Sequence, residues 1–378
     1  MNSFLSTART KETYLKKISS EPNNTIRNRV NAIKSFEKFT HEKYDKHIDD
    51  IISELKIVKE KTSTDQYEET LYDLLQHWIN WRLDSGTKAS TVIVVFSCVR
   101  SYLYYRGIKT DQQDVKQYLT FKKPAMREDH PLSLEEYRTI INGFGNHPRR
   151  QSIYLVQGSS GMRIGEILCL KKKDFDCSQK RIKITIPAEF TKTHQSRSVF
   201  ISQESEIIVR KILDSIIDDS YVFHSSKDID NARINEQSAL VRLGRKLGGI
   251  FTETYPSSNT RKITSHSFRA YFFTKAVRMH GENFAHRFTG HRGYLMQYDR
   301  ITDDERLDMY LKLEPELVVF DQSKNNLEIS RLKQDNTSII ALREEVEKLK
   351  VERIKRDKEI LEQFRKENRI PHDQQPQI

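Results

Sequence analysis

Ser160-Gly161-Met162-Arg163-Ile164-Gly165-Glu166-Ile167-Leu168-Cys169-Leu170 joins a glycine turn to a short amphipathic run. Ile164, Ile167, Leu168 and Leu170 recur at the spacing of one helix face. Arg163 stands at the mouth of that helix, where backbone amides also point, and a guanidinium there is well placed for phosphate. Glu166, one turn on, is placed to orient the guanidinium. A lone arginine is ordinarily a solvated surface residue, so its meaning depends on its company.

Upstream, Ser133-Leu134-Glu135-Glu136 is a capping box that opens a helix. Downstream, Arg181-Ile182-Lys183-Ile184-Thr185-Ile186 alternates at the strand period, and Ser198-Val199-Phe200-Ile201 can return antiparallel to it. The polar loop from Pro187 to Arg197 between them makes a basic-tipped hairpin. Its Lys192, in Thr191-Lys192-Thr193-His194-Gln195-Ser196-Arg197, can reach a DNA groove or deliver a proton. Next come His266-Ser267-Phe268-Arg269, where His266 and Arg269 share one helix face. They offer a proton-transfer group and a second bidentate clamp. Finally, Phe288-Thr289-Gly290-His291 holds a histidine on a Gly-His turn, followed by Tyr294 and Tyr298. Tyr310 lies on a later amphipathic helix, Asp303 to Leu313.

The rest of the chain frames these signals. The 378 residues suggest two to three domains. Residues 1–20 read as a loose N-terminus. From 21 to 121 helical periodicity prevails: Ile26, Val30, Ile33 and Phe36; then Leu71, Leu74, Leu75, Trp78 and Ile79; then a helix capped by Ser90 and ended by Gly107. Residues 122–131 read as a linker, and 132–320 as a second domain, mainly helical with the small hairpin. In the tail, 321–370, Leu332, Ile339, Leu342, Val346 and Leu349 fit a and d positions before the phase slips to Ile354, Ile360, Leu361 and Phe364. That is a long amphipathic helix and a possible coiled coil. Residues 371–378 read as a disordered tail. The fold class is mainly α with a small β-hairpin.

Lys and Arg number 64 against 53 Asp and Glu, a net charge of +11. That charge is compatible with a polyanionic partner. Cys98, Cys169 and Cys177 match no zinc or redox spacing and read as buried small apolar residues in a reducing compartment. No signal peptide is visible. The longest apolar runs, such as Thr91 to Phe96, are far short of the ~20 residues of a membrane span. No nucleotide-binding loop or acidic metal cluster is seen, and His280, His286 and His291 lack the partners of a zinc site. The expectation is therefore no cofactor, no metal, no nucleotide and no membrane partner, and a cytoplasmic protein.

In chain order these signals are Arg163, Lys192 on a hairpin, His266-x-x-Arg269, Gly290-His291 and a tyrosine. That order resembles the tyrosine recombinase catalytic domain over about residues 130–320. The preceding helices look like that family's core-binding domain. Gly290 to Leu317 looks most like archaeal and archaeal-virus integrases. The resemblance implies a site-specific recombinase, virus-encoded or prokaryotic, that cuts and rejoins double-stranded DNA through a 3′-phosphotyrosyl link, without cofactor, as a tetramer on paired sites. It implies that Arg163 and Arg269 clamp the scissile phosphate and that Lys192 protonates the leaving 5′-oxygen. His266 would act as acid/base, His291 would hydrogen-bond the phosphate, and Tyr298 would attack. Tyr298 follows His291 more closely than is usual in the family, which leaves Tyr310 and Tyr294 as alternatives. The resemblance also implies that a C-terminal helix, 295–313, packs on a neighbouring protomer. A type IB topoisomerase or telomere resolvase shares the chemistry, and a regulator that has lost cleavage would share the fold.

Overall fold

The structure is a computed structural model that describes residues 9–124, 129–256, 258–291 and 300–367. The chain divides into two compact units, Met1–Glu128 with Pro256–Asn259, and Asp129–Tyr255 with Thr260–Ile378.

Among the described residues, the first unit has six helices: α1 (Lys11–Lys17), α2 (Asn23–Tyr44), α3 (Ile48–Lys61), α4 (Thr64–Asp84), α5 (Ala89–Tyr105) and α6 (Gln112–Tyr118). The apolar stripes expected from the sequence supply its core. Ile33, Phe36 and Phe39 of α2 meet Leu71, Leu75, Trp78 and Ile79 of α4, and Phe96, Val99 and Leu103 of α5. Caps set the boundaries. The Ser63 hydroxyl accepts from the Gln66 amide, and Gly107, at φ 95°, takes the chain out of α5.

Two expectations change here. Residues 1–20 are not all loose, because α1 buries Tyr14 edge-on against the Tyr102 ring at 5.2 Å. Ser90 is not a cap; α5 starts at Ala89 after Lys88, and Ser90 lies in its first turn.

The second unit contains α7 (Leu134–Gly143), α8 (Pro148–Ser160), α9 (Ile164–Cys169), the strands β1 (Phe175–Asp176), β2 (Lys183–Ile186) and β3 (Arg197–Phe200), then α10 (Gln203–Asp214), α11 (Ile229–Leu247), α12 (Ser265–Thr289), α13 (Asp303–Leu317) and α14 (Asp321–Glu367). The Ser133–Glu136 box caps α7 as expected. The hairpin forms in the register Ile184↔Val199 and Ile186↔Arg197, and β1 adds a third antiparallel strand. Ile182, Ile184 and Ile186 are fully buried on its inner face. Helix α8 is buried from Ser152 to Ser160 and packs on α10 and α12. Helix α12 breaks its own geometry at Gly281, where φ is 82°.

Buried carboxylates knit this unit together. Glu314 of α13 accepts from Arg181 Nε at 2.8 Å and from the Gln203 amide at 2.6 Å. Glu204 accepts from the amides of Val319 and Phe320, each at 2.9 Å. Helix α13 accordingly buries Tyr310, Leu313 and Leu317 in its own unit. Of the expected helix 295–313, residues 295–299 lie outside the described residues. Of the cysteines, only Cys169 is buried; Cys98 is intermediate and Cys177 exposed, and all three are free thiols. No helix among the described residues is long and apolar enough to cross a membrane.

Candidate active site

Two glycines allow the site to close. Gly161 ends α8 at φ 69°, and Gly290 ends α12 at φ 66°. A β-carbon on Gly161 would lie 2.4 Å from Phe272, and one on Gly290 would lie 2.7 Å from the Arg197 guanidinium. Positive φ and close approach both demand glycine at these positions. The two turns bring the end of α8, the start of α9 and the end of α12 to one place.

Arg269, one turn into α12, is 2% exposed. It donates to the Gly161 carbonyl, to the Thr289 carbonyl at 2.6 Å, and from Nη2 to His291 Nε2 at 3.0 Å. Arg163 also donates to the Thr289 carbonyl, at 3.4 Å, and to Glu166 Oε1 at 2.9 Å. Two guanidiniums far apart in sequence therefore reach the same oxygen. Burial, together with the charge of Arg163, pushes Arg269 down to about 9, which still leaves it protonated at neutral pH.

Because Arg269 donates to it, His291 Nε2 acts as an acceptor, and the neutral ring carries its proton on Nδ1. Partial desolvation and the nearby Arg269 and Arg163 push His291 down to about 4. His266 sits in the first turn of α12 and is exposed. Lys192 is exposed on the hairpin loop, and the hydrogen bonds that gather Arg163, Arg269 and His291 do not include it. Tyr294 and Tyr298 lie outside the described residues.

Tyr310 is the one candidate nucleophile the structure describes, and it is a core residue. It is fully buried, its ring is stacked on Phe288 at 5.6 Å, and its hydroxyl donates to the Ser159 carbonyl at 2.8 Å. Burial holds its phenol well above the ordinary tyrosine range. A phenol so placed has neither access nor acidity for attack on DNA.

Arg197 is the residue that reading the sequence missed. In sequence it closes the polar loop, yet only 10% of its side chain is exposed. It donates to Glu166 from Nη2 at 2.6 Å and Nη1 at 3.2 Å, and from Nε to the Phe288 carbonyl at 2.8 Å. It thus ties the base of the Lys192 hairpin to the carboxylate that holds Arg163 and to the turn that presents His291. The signal lay in strand parity: Arg197 pairs with Ile186 and so shares the buried face. Glu166 holds both arginines, and its own amide partner, the Arg163 N–H, lies at 2.8 Å. Burial pushes the Glu166 carboxyl up, but Arg197 and Arg163 outweigh that and hold it below the usual range. Because Glu166 takes the Arg163 amide, that N–H at the start of α9 is already satisfied within the protein.

Residues 131–296 match the phage integrase family. No curated protein matches the chain in sequence. Among solved structures, a lambda integrase dimer bound to a COC′ core site is similar over 77% of this chain and 79% of that one, with a TM-score of 0.52 at 16% identity. A lambda integrase(75-356) dimer on a COC′ core site is similar over 77% of this chain and 97% of that one, with a TM-score of 0.50 at 14% identity. At such identities the likeness is one of fold.

Proposed function

We propose, from the premise that residues 131–296 make this chain a tyrosine recombinase of the phage integrase family, that its arginine pair grips one DNA phosphate while a tyrosine attacks it. The observation that carries this reading is the convergence of Arg163 and Arg269 on the Thr289 carbonyl, with His291 alongside. A phosphodiester repels nucleophiles, and negative charge increases around phosphorus in the transition state. Two guanidiniums held in place before DNA arrives stabilise that charge without reorganising.

In the proposed step the Tyr298 phenolic oxygen bonds to phosphorus and the bond to the 5′-oxygen breaks. The phenol's proton goes to His266, and Lys192 supplies a proton to the departing oxygen. His291 donates to a non-bridging oxygen from its protonated nitrogen. The reverse step, with a 5′-hydroxyl from another strand as nucleophile, reseals the backbone. Phosphate ester energy is kept in the 3′-phosphotyrosyl link, so the sequence needs no nucleotide. Lys192 sits on a loop anchored at its base by Arg197, so it can swing while the arginines stay fixed.

The neighbouring folds are dimers on DNA core sites. Duplex DNA as partner and action in concert with further copies are read onto this chain from them, and a tetramer on two paired sites is the working unit we propose. The region 21–121 acts as the core-binding domain and 132–320 as the catalytic domain.

A nicked suicide substrate tests the reading. A covalent protein–DNA adduct is expected, with the DNA mapped to the peptide holding Tyr298. Tyr298→Phe should abolish the adduct, while Tyr310→Phe and Tyr294→Phe should retain it. No adduct with folded wild-type protein would leave a DNA-binding regulator. Relaxation of supercoiled DNA without two-site exchange would point instead to a topoisomerase.

A further inference from the structure

Helix α14 runs for 47 residues, and its apolar side chains are exposed. Ile339, Leu342, Val346 and Leu349 are between 47% and 60% accessible. Their 3-4-3 spacing makes them successive a, d, a and d positions of two heptads. Leu332 extends the a positions on the N-terminal side and is equally exposed. A helix in water does not keep a seam of this kind bare without a partner for it.

We infer that α14 pairs with α14 of a second copy of this chain, as a parallel two-stranded coiled coil that forms without DNA. The a positions Ile339 and Val346 are β-branched and the d positions Leu342 and Leu349 are leucines, the combination that favours two parallel strands over three or four. A two-fold axis then sets each residue opposite its own counterpart. In that register Glu345 occupies a g position and Lys350 the following e position of the other helix, so opposite charges face each other across the seam in both directions. Lys350 pairs with Glu347 of its own helix at 2.7 Å, and both ends of that bridge are more than 60% exposed, so it yields readily.

The same register predicts that the pairing is weak. Arg353 and Arg356 fall at the next a and d positions and bring like charges together across the axis. Arg353 lies 3.9 Å from Asp357 of its own helix, an exposed contact that offsets this only slightly. The dimer is therefore reversible and concentration-dependent. It supplies protomers to DNA in pairs, a function separate from the cutting chemistry.

Sedimentation equilibrium of the full chain without DNA tests this. Wild type is expected to dimerise at tens of micromolar and to dissociate on dilution. Leu342→Asp with Leu349→Asp should give a monomer that still forms the covalent adduct on a single-site suicide substrate, which keeps the result independent of the proposed reaction. Arg353→Leu with Arg356→Leu should tighten the dimer by about tenfold or more. Leu349→Cys in a Cys177→Ser background should form an interchain disulfide, as a parallel in-register pair requires. A wild-type monomer throughout this range, a dimer indifferent to the aspartates, or no tightening by the leucines would overturn the inference.

Discussion

His291 is neutral while it accepts from Arg269, and its charge state is open to measurement. In the free protein its ring should titrate near 4 rather than near 6.5, as followed by imidazole proton and carbon shifts. Because the folded value lies below the unfolded one, its contribution to stability is complete above about pH 6.5 and is lost as pH falls toward 4. Arg269→Gln should return the titration toward the ordinary histidine range; a shift unchanged by that substitution would disprove the account. Arg197 gives a second test at this scale. Arg197→Met removes the clasp on Glu166, and the adduct should form on the order of 10²-fold more slowly as Arg163 loses its fixed position. Arg197→Lys should recover part of the rate, and the acid limb of the pH profile should move upward with the Glu166 carboxyl. Arg163, Arg269 and His291 were legible because residue type and order sufficed to single them out. Arg197 was not, because its meaning depends on which face of a strand it occupies, and the alternating pattern in sequence begins only at Ser198.

Elements were legible where a stripe and a cap coincided. Helix α7, with its Ser133–Glu136 box, and strand β2, with its two buried isoleucines, formed as their patterns required. Strand β1 was not legible, since two residues show no alternation and acquire strand geometry only by pairing with β2. Nor was α1: its single buried anchor, Tyr14, finds its partners Tyr102 and Tyr105 some ninety residues away. Helix α13 shows what long-range pairing does to an element. Its amphipathic face was visible in sequence, yet its place is fixed by Glu314 reaching Arg181 and the Gln203 amide. Glu314→Ala should destabilise the protein by about 3–5 kcal/mol, because it strands the buried Arg181 charge. Replacing both partners, Arg181→Met with Glu314→Leu, should recover much of that loss. Urea midpoints compared at constant m would show whether it does.

At the scale of the molecule, fold class and charge were both evident before any coordinates, since helical stripes and a net charge of +11 are summed properties. What summed properties cannot convey is which distant segments meet, and the gathering of 160–166, 197 and 288–291 is such a meeting. The net charge has a measurable consequence. Binding to a duplex core site should weaken with salt, log K falling linearly with log salt at a slope of about −0.9 per phosphate neutralised. Arg163→Ala should flatten the slope by about one, whereas the aspartate pair in α14 should leave the slope for a single site unchanged. Fluorescence anisotropy over a salt series reads both, and an unaltered slope in Arg163→Ala would remove that residue from contact with the backbone.

Among the described residues, Arg269 donates to two peptide oxygens and an uncharged ring, none of them anionic. An arriving oxyanion thus competes for this guanidinium only with neutral acceptors, over which an anion is favoured. Inorganic phosphate or tungstate should raise the melting temperature more than chloride at equal ionic strength, and Arg269→Met should erase that selectivity. Crystals grown from sulfate should then show how each arginine meets a bound oxyanion.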